Sequence, residues 1–342
     1  MGDIVFVHIV EKGELESKSI LLCSSIRTFC GIYKDSKIYA ITPRKGKEIS
    51  NETKELYNKL NVSYIYKELN VKWQDQPYLN STYGAAFIER EYFNKPITLV
   101  YVDSDTFFMN QPDALDLARN NVDIAVSPID SIDAEVPNFD VDHISDYWKN
   151  VYRLVGIKFN DLWYVRTLHD NRDVIAYFNL GIVAVNPSLL ILNNALEKIE
   201  QAHDDEYFSS LRSGSMERFF LDQVFVSAVI IKHPRDRILL LNSNYNLSLP
   251  VVRSIKKEMF TTLVHIHYHH MFFYKKTLKI FESEEKIYDF LKSYVPFKVS
   301  TIYLITTSIK SHIPIKLRNF IRGTFMIKFI SKILNKIGIN IG

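Results

Sequence analysis

Apolar residues in the first hundred positions fall into short, nearly continuous runs separated by amphipathic stretches. DIVFVHIV (3–10), SKIYAITP (36–43, stopped by Pro43), NVSYIYKE (61–68) and ITLVYV (97–102) read as strands. Between them, residues 19–31 (with Gly31 near the end), 47–60 and 79–93 read as helices. Strands alternating with helices predict an α/β layer structure with a largely parallel sheet. Further on, DIAVSPID (123–130) predicts a short strand, and AYFNLGIVAVN (176–186) a second apolar one. Residues 188–202 and 215–229 look helical, and ILLLNSNYN (238–246) and TTLVHIHYHH (261–270) are the last strand-like runs. Between the strands, residues 129–174 read as irregular, acidic and aromatic, with Trp148 and Trp163. A long irregular segment inside a compact domain often shapes a site.

Composition narrows this picture. A hydrophobic share of 47% and an aromatic share of 13% suit a folded core. The net charge of +3 is uneven: residues 296–342 hold eight Lys/Arg and no Asp or Glu, leaving 34 basic against 39 acidic residues in 1–295, a net of −5. An acidic body argues against nucleic acid as partner. Cys23 and Cys30 form no CxxC or zinc pattern and read as buried thiols on one helix face. With a strand-like stretch starting almost at Met1 and no basic leader, the expected location is cytoplasmic.

Candidate chemistry starts at VYVDSDTFF. Asp103 and Asp105 stand one residue apart at the end of an apolar run. In an extended strand, i and i+2 point to one side, and ligands of parallel sheets bind beyond the carboxyl ends of strands. Two carboxylates there can share a magnesium, calcium or manganese ion; a solvated turn would give the same pattern. In LVHIHYHH, alternation puts His265, His267 and His269 on one face, and imidazole favours manganese or zinc over magnesium. A solvated aromatic strand edge is the alternative. Two carboxylates and one distant histidine would make a mixed site with positions left open for a substrate diphosphate.

YVDSDTFF, YFNLGIVAVN, FLDQ at 220–223 and a strand ending in His-Tyr occur in an order that resembles GT-A fold glycosyltransferases, in particular the retaining family that includes glycogenin and bacterial lipopolysaccharide galactosyltransferases. The resemblance covers about residues 1–275. It implies a Rossmann-like mixed, mostly parallel sheet flanked by helices, and transfer of a hexose from a UDP-sugar to a glycan or glycolipid acceptor. It implies Asp103, Asp105 and His267 as ligands of manganese or magnesium, with His265 as the second choice. Asn179, Asp222 and Gln223 would contact donor sugar or acceptor, with Gln223 near the anomeric carbon. His8, Ile9, Val10, Ser104, Gly181 and Lys275 would line the donor. The sequence departs from the family where a Gly, Lys, Pro, Trp ending is expected and HHMFFYKK stands, and where Ala85 or Ala86 replaces an arginine.

The strand-end DxD allows two other readings. A phosphatase with Asp103 as nucleophile would want a small hydroxyl residue or Val where Phe107 stands. A catalytically degenerate, membrane-associated transferase-like binding protein would keep the fold without turnover. The chain thus divides into a catalytic domain over 1–295 and a tail over 296–342. In the tail, Leu317, Ile321, Phe325, Phe329, Ile333 and Ile337 recur every fourth position beside a row of Lys328, Lys332 and Lys336. This predicts a basic amphipathic helix that lies on an anionic membrane surface or packs on the acidic body.

Overall fold

The computed structural model describes residues 2–132, 144–212, 215–252 and 254–297. The N-terminal half follows the predicted alternation: β1 (Asp3–Ile9), α1 (Glu14–Phe29), β2 (Lys37–Thr42), α2 (Asn51–Lys59), β3 (Val62–Tyr66), α3 (Asn80–Glu91) and β4 (Ile97–Val102). Local chemistry sets the boundaries. Ser50 caps α2 by accepting the Thr53 amide at 3.2 Å, and Glu16 reaches back to the Gly13 amide at 3.0 Å ahead of α1. The remaining strands are β5 (Thr106–Phe108), β6 (Ile124–Pro128), β7 (Tyr164–Arg166), β8 (Asp173–Ile175), β9 (Phe178–Val185), β10 (Ile238–Leu240), β11 (Leu247–Ser248) and β12 (His265–His267).

Seven strands form the central sheet in the order β10-β6-β9-β4-β1-β2-β3. All run parallel except β9, which pairs antiparallel with β4 and β6 on either side. β1 shows why the sheet is covered on both faces. Val5, Val7 and Ile9 enter one apolar cluster with α3, and Ile4 and Phe6 enter the other, beneath α1. A smaller sheet, β11-β12-β5, stands at the carboxyl end of β4. Its own core gathers Phe107, Ile266, Tyr268, Phe272, Phe281 and Phe297. Packing continues to Phe297, whose amide donates to Phe272 O at 3.0 Å.

Two expectations change here. Residues 144–174 are not irregular: they form a helix, Asp146–Val155, and the hairpin β7–β8. Trp148 and Tyr152 are buried in the main core, so these two aromatics serve packing. Their period had the helical spacing, but acidic neighbours hid it. The run 238–246 is only three residues of β10 followed by turns, where the Asn242 side chain accepts the Asn244 amide at 3.0 Å in place of the ladder. Beyond Phe297 the basic tail lies outside the described residues.

Candidate active site

β4 ends at Val102 and β5 begins at Thr106, so Asp103, Ser104 and Asp105 form the corner between the two sheets. The expected strand alternation does not operate there; the carboxylates converge because the corner is a turn. Four contacts fix it. The Asp103 amide donates to Gly181 O at 3.0 Å, Thr106 Oγ1 donates to Asp103 O at 2.6 Å, the Ser104 hydroxyl donates to Ile9 O, and the Tyr268 amide donates to Asp105 O at 3.1 Å.

β12 pairs antiparallel with β5 in a register that sets His267 opposite Thr106. His267 Nε2 then stands 3.1 Å from Asp105 Oδ1 and 4.0 Å from Asp103 Oδ2. His269 takes a left-handed backbone conformation, φ 53°, which breaks the strand alternation and folds its ring onto His267 with centroids 3.8 Å apart. Asp105, His267 and His269 offer ligand atoms that all lie within 4.8 Å of one another. His265 has no place in this group. It is fully buried against Phe108, with ring centroids 4.7 Å apart, and neither ring nitrogen has a hydrogen-bond partner.

The charges are strongly interdependent. Burial alone would raise the Asp105 carboxyl, but His267 and Lys18 outweigh it and hold the group well below the usual carboxylate range. Burial pushes Asp103 up to about 6, opposed by His267 and reinforced by the like charge of Asp105. Burial would lower His267, yet the Asp105 charge and hydrogen bond raise it. Tyr101 donates its hydroxyl to Asp103 Oδ1 at 2.5 Å. Two further carboxylates face this field. Asp222 is pushed up to about 7, by burial first and with a contribution from Asp103. Asp130, just past β6, is pushed up to about 6 by burial, with His267 pulling the other way.

Around β9, Asn179 Oδ1 accepts from the Gly181 amide at 2.8 Å and from Asn246 Nδ2 at 2.9 Å. That carbonyl is therefore committed to the scaffold. Gly181 is required by close approach: a Cβ there would stand 2.1 Å from Asn246 Oδ1 and 2.8 Å from His267 Nδ1. Both of these atoms are buried without a partner. They suit a metal-ligating histidine. With Nε2 on a cation, Nδ1 carries the proton, and such histidines normally donate it to a neighbouring acceptor. Together with carboxylate and imidazole donors, the residues fit a divalent cation.

Asp222 Oδ2 accepts from Ser81 Oγ at 3.0 Å, and Gln223 beside it has a buried Nε2 without a partner. His8, Ile9 and Val10 stand less open than expected. The His8 side chain faces α1 and bonds Ser19 at 2.5 Å; Ile9 O takes the Ser104 hydroxyl; the Val10 amide donates to Ile41 O and its carbonyl accepts from Thr42 Oγ1. Lys275 is exposed at the start of the 3-10 turn Lys275–Phe281, and among the described residues no ion pair joins it to the aspartates. Lys18, Tyr101, Asp130 and Asn246 join the site without having been singled out from the sequence. Asp130 carried the same signal as Asp103, a carboxylate at the end of an apolar run; Lys18, in mid-helix, carried none.

A seven-stranded sheet with one reversed strand, and a DxD corner closed by a small sheet that presents a histidine, is the GT-A class of architecture. The family described as Rhodobacterales glycosyltransferase domain matches residues 6–233, and the chain belongs to this family and is a glycosyltransferase. No curated protein matches it by sequence. Among solved structures it is similar to the galactosyltransferase LgtC in complex with donor and acceptor sugar analogs, at 15% identity and a TM-score of 0.47, covering 88% of this chain and 98% of that one. It is also similar to mouse xyloside xylosyltransferase 1, at 11% identity and a TM-score of 0.42, covering 78% and 97%. A third likeness is to the bifunctional glycosyltransferase WbbM, at 17% identity and a TM-score of 0.42, covering 78% of this chain and 46% of that one.

Proposed function

We propose that the chain moves a hexose from a UDP-sugar to a glycan or glycolipid acceptor in a reaction that depends on a divalent cation, manganese in preference to magnesium. The observation that supports this most is the convergence of two carboxylates on one imidazole nitrogen, 3.1 Å and 4.0 Å away. Oxygen ligands alone would suit magnesium, and imidazole moves the preference toward manganese. Asp103, Asp105 and His267 would hold the ion. When bound, the ion supplies neutralisation of the charge that develops on the leaving diphosphate.

The chain's own residues do the rest. Asp222, with its carboxyl near 7, is protonated in part of the population at neutral pH, so it both donates to and accepts from sugar hydroxyls. Gln223 offers a buried amide donor without a partner, and a ligand hydroxyl would remove the cost of that orphan. Asn179 acts through Gly181 and Asn246, holding the surface against which His267 rests. The basic tail over 296–342 would rest on an anionic membrane at its cytoplasmic face, near a lipid-linked acceptor. No helix among the described residues is long and apolar enough to cross a membrane.

The test is titration calorimetry of UDP with Mn²⁺ and with chelator, on the native chain and on Asp103→Ala/Asp105→Ala. Binding is expected only with the ion and with both aspartates. UDP binding that ignores both chelator and substitution would overturn the metal-bridged reading.

A further inference from the structure

One cation sits at the corner unannounced by any motif. Lys18 lies one turn into α1, and only 3% of its side chain is exposed. Its Nζ stands 3.7 Å from Asp105 Oδ2, 3.8 Å from Glu14 Oε1 and 5.4 Å from the centre of the Phe273 ring. Asp105 belongs to the DxD corner, and Phe273 to the turn Met271–Phe273 that follows the histidines. The ammonium is thus lodged between the carboxylates and that turn. Asp105 is bracketed, with Oδ1 toward His267 and Oδ2 toward Lys18.

Two features separate this from an ordinary structural ion pair. Burying an ammonium costs several kcal/mol, offset only by close, well-directed partners. Contacts of 3.7 and 3.8 Å are beyond hydrogen-bond length, so the carboxylates hold the charge without saturating its three donors. Glu14, its neighbour at i−4, does not close onto it either: Glu14 Oε2 is buried without a partner. The lysines that follow the histidines, Lys275 and Lys276, are both exposed. No ion pair joins either of them to Asp103 or Asp105 among the described residues.

We propose that Lys18 binds the donor's diphosphate, supplying from α1 the fixed positive charge that the turn after the histidines does not bring to the corner. The inference rests on the donor reading above. A diphosphate oxygen takes the unsaturated N–H donors that Asp105 and Glu14 leave over, and charge-assisted bonds of this kind are the strong ones. Before the donor arrives, Lys18 and His267 share Asp105, so Lys18 competes with a cation for that carboxylate.

The experiment measures UDP, uridine and Mn²⁺ binding by calorimetry on the full chain and on Lys18→Met and Lys18→Arg. Lys18→Met keeps the buried stem and removes the charge. It is expected to weaken UDP about tenfold or more in the presence of Mn²⁺, leave uridine unchanged, and bind Mn²⁺ alone at least as tightly as the native chain. Lys18→Arg is expected to retain most of the UDP affinity. UDP affinity within twofold of native for Lys18→Met overturns the proposal and leaves Lys18 as a counter-ion of Asp105. An equal loss for uridine overturns it too, since the effect would then lie outside the diphosphate. A native chain that fails to bind UDP with Mn²⁺ overturns the donor reading itself. Should Lys18→Met not fold, Lys18→Gln is judged by the same criteria.

Discussion

The parallel half of the large sheet and the small corner sheet are held together differently. In the first, β1 shares five-residue registers with β2 and β4, and β2 with β3, and each strand buries apolar side chains against helices. In the second, strands of three, two and three residues pair over three positions or fewer. Strands that short have little stability of their own. The corner persists through individual fits: Gly181 under Asn246 and His267, the Ser104 hydroxyl on Ile9 O, and Tyr268 against Phe107 and Phe272. The regular half carries the fold, and the irregular corner carries the charged groups. Functional groups thus sit where local pattern contributes least and specific contacts contribute most.

A substitution at the tightest fit of the corner should show the largest effect. Gly181→Ala puts a methyl 2.1 Å from an Asn246 side chain already pinned by Asn179, and 2.8 Å from His267. Chemical denaturation should show a loss of about 1–3 kcal/mol, and Mn²⁺ affinity should fall at least about tenfold as His267 is displaced. Native metal affinity in this variant would mean that the corner is not held by these contacts.

pH offers a gentler probe of the same contrast. Asp103 titrates near 6, and His267 is raised above its ordinary value. Both must lose protons to take a cation. Mn²⁺ affinity should therefore fall by at least about tenfold per pH unit below about 6, as read by calorimetry. In the metal-free protein the contribution of Asp103 and Asp222 moves the opposite way, against that of His8, His265 and His269, which burial holds below the ordinary histidine range. The Asp103 and Asp222 carboxyls are raised in the folded state, to about 6 and about 7, so the unfolded chain ionises first as pH rises. Stability from these groups is greatest below about pH 4, the unfolded carboxylate range, and declines up to about 7. Thermal melting of the metal-free native chain against Asp222→Asn across that window checks the sign: the difference between native and variant should shift against the native chain as pH rises from about 4 to about 7.

The smallest effect is expected in the parallel half. At Gly84 of α3, an added Cβ meets Ile9 Cδ1 at 2.4 Å, the far end of a flexible side chain. Alanine also gains about 1 kcal/mol of helix propensity. Gly84→Ala should change unfolding free energy by no more than about 1 kcal/mol, since repacking and propensity oppose one another, and should leave Mn²⁺ affinity within twofold. A metal defect here as large as that of Gly181→Ala would erase the distinction between the two regions.

Much of this protein was determined by its sequence. Continuous apolar runs between amphipathic helices give β1, β2, β4 and β9, because burial on both faces demands such runs. The carboxylates at the end of β4 mark the site because an apolar run rarely ends in two charges without a use for them. Periodicity could not separate His267 from His265, since both fall on one face; the family resemblance ranked His267 first, and it is the pairing of β12 with β5 that sets His267 against Asp105, 162 positions away. It likewise turned His269 back with a left-handed backbone, sent Trp148 and Tyr152 into the core, and brought Lys18 of α1 to the same carboxylate. Periodicity along one element states which residues share a face. Which face of which distant element that side meets is decided only when sheets close and helices pack, and there the charges of the site were assembled.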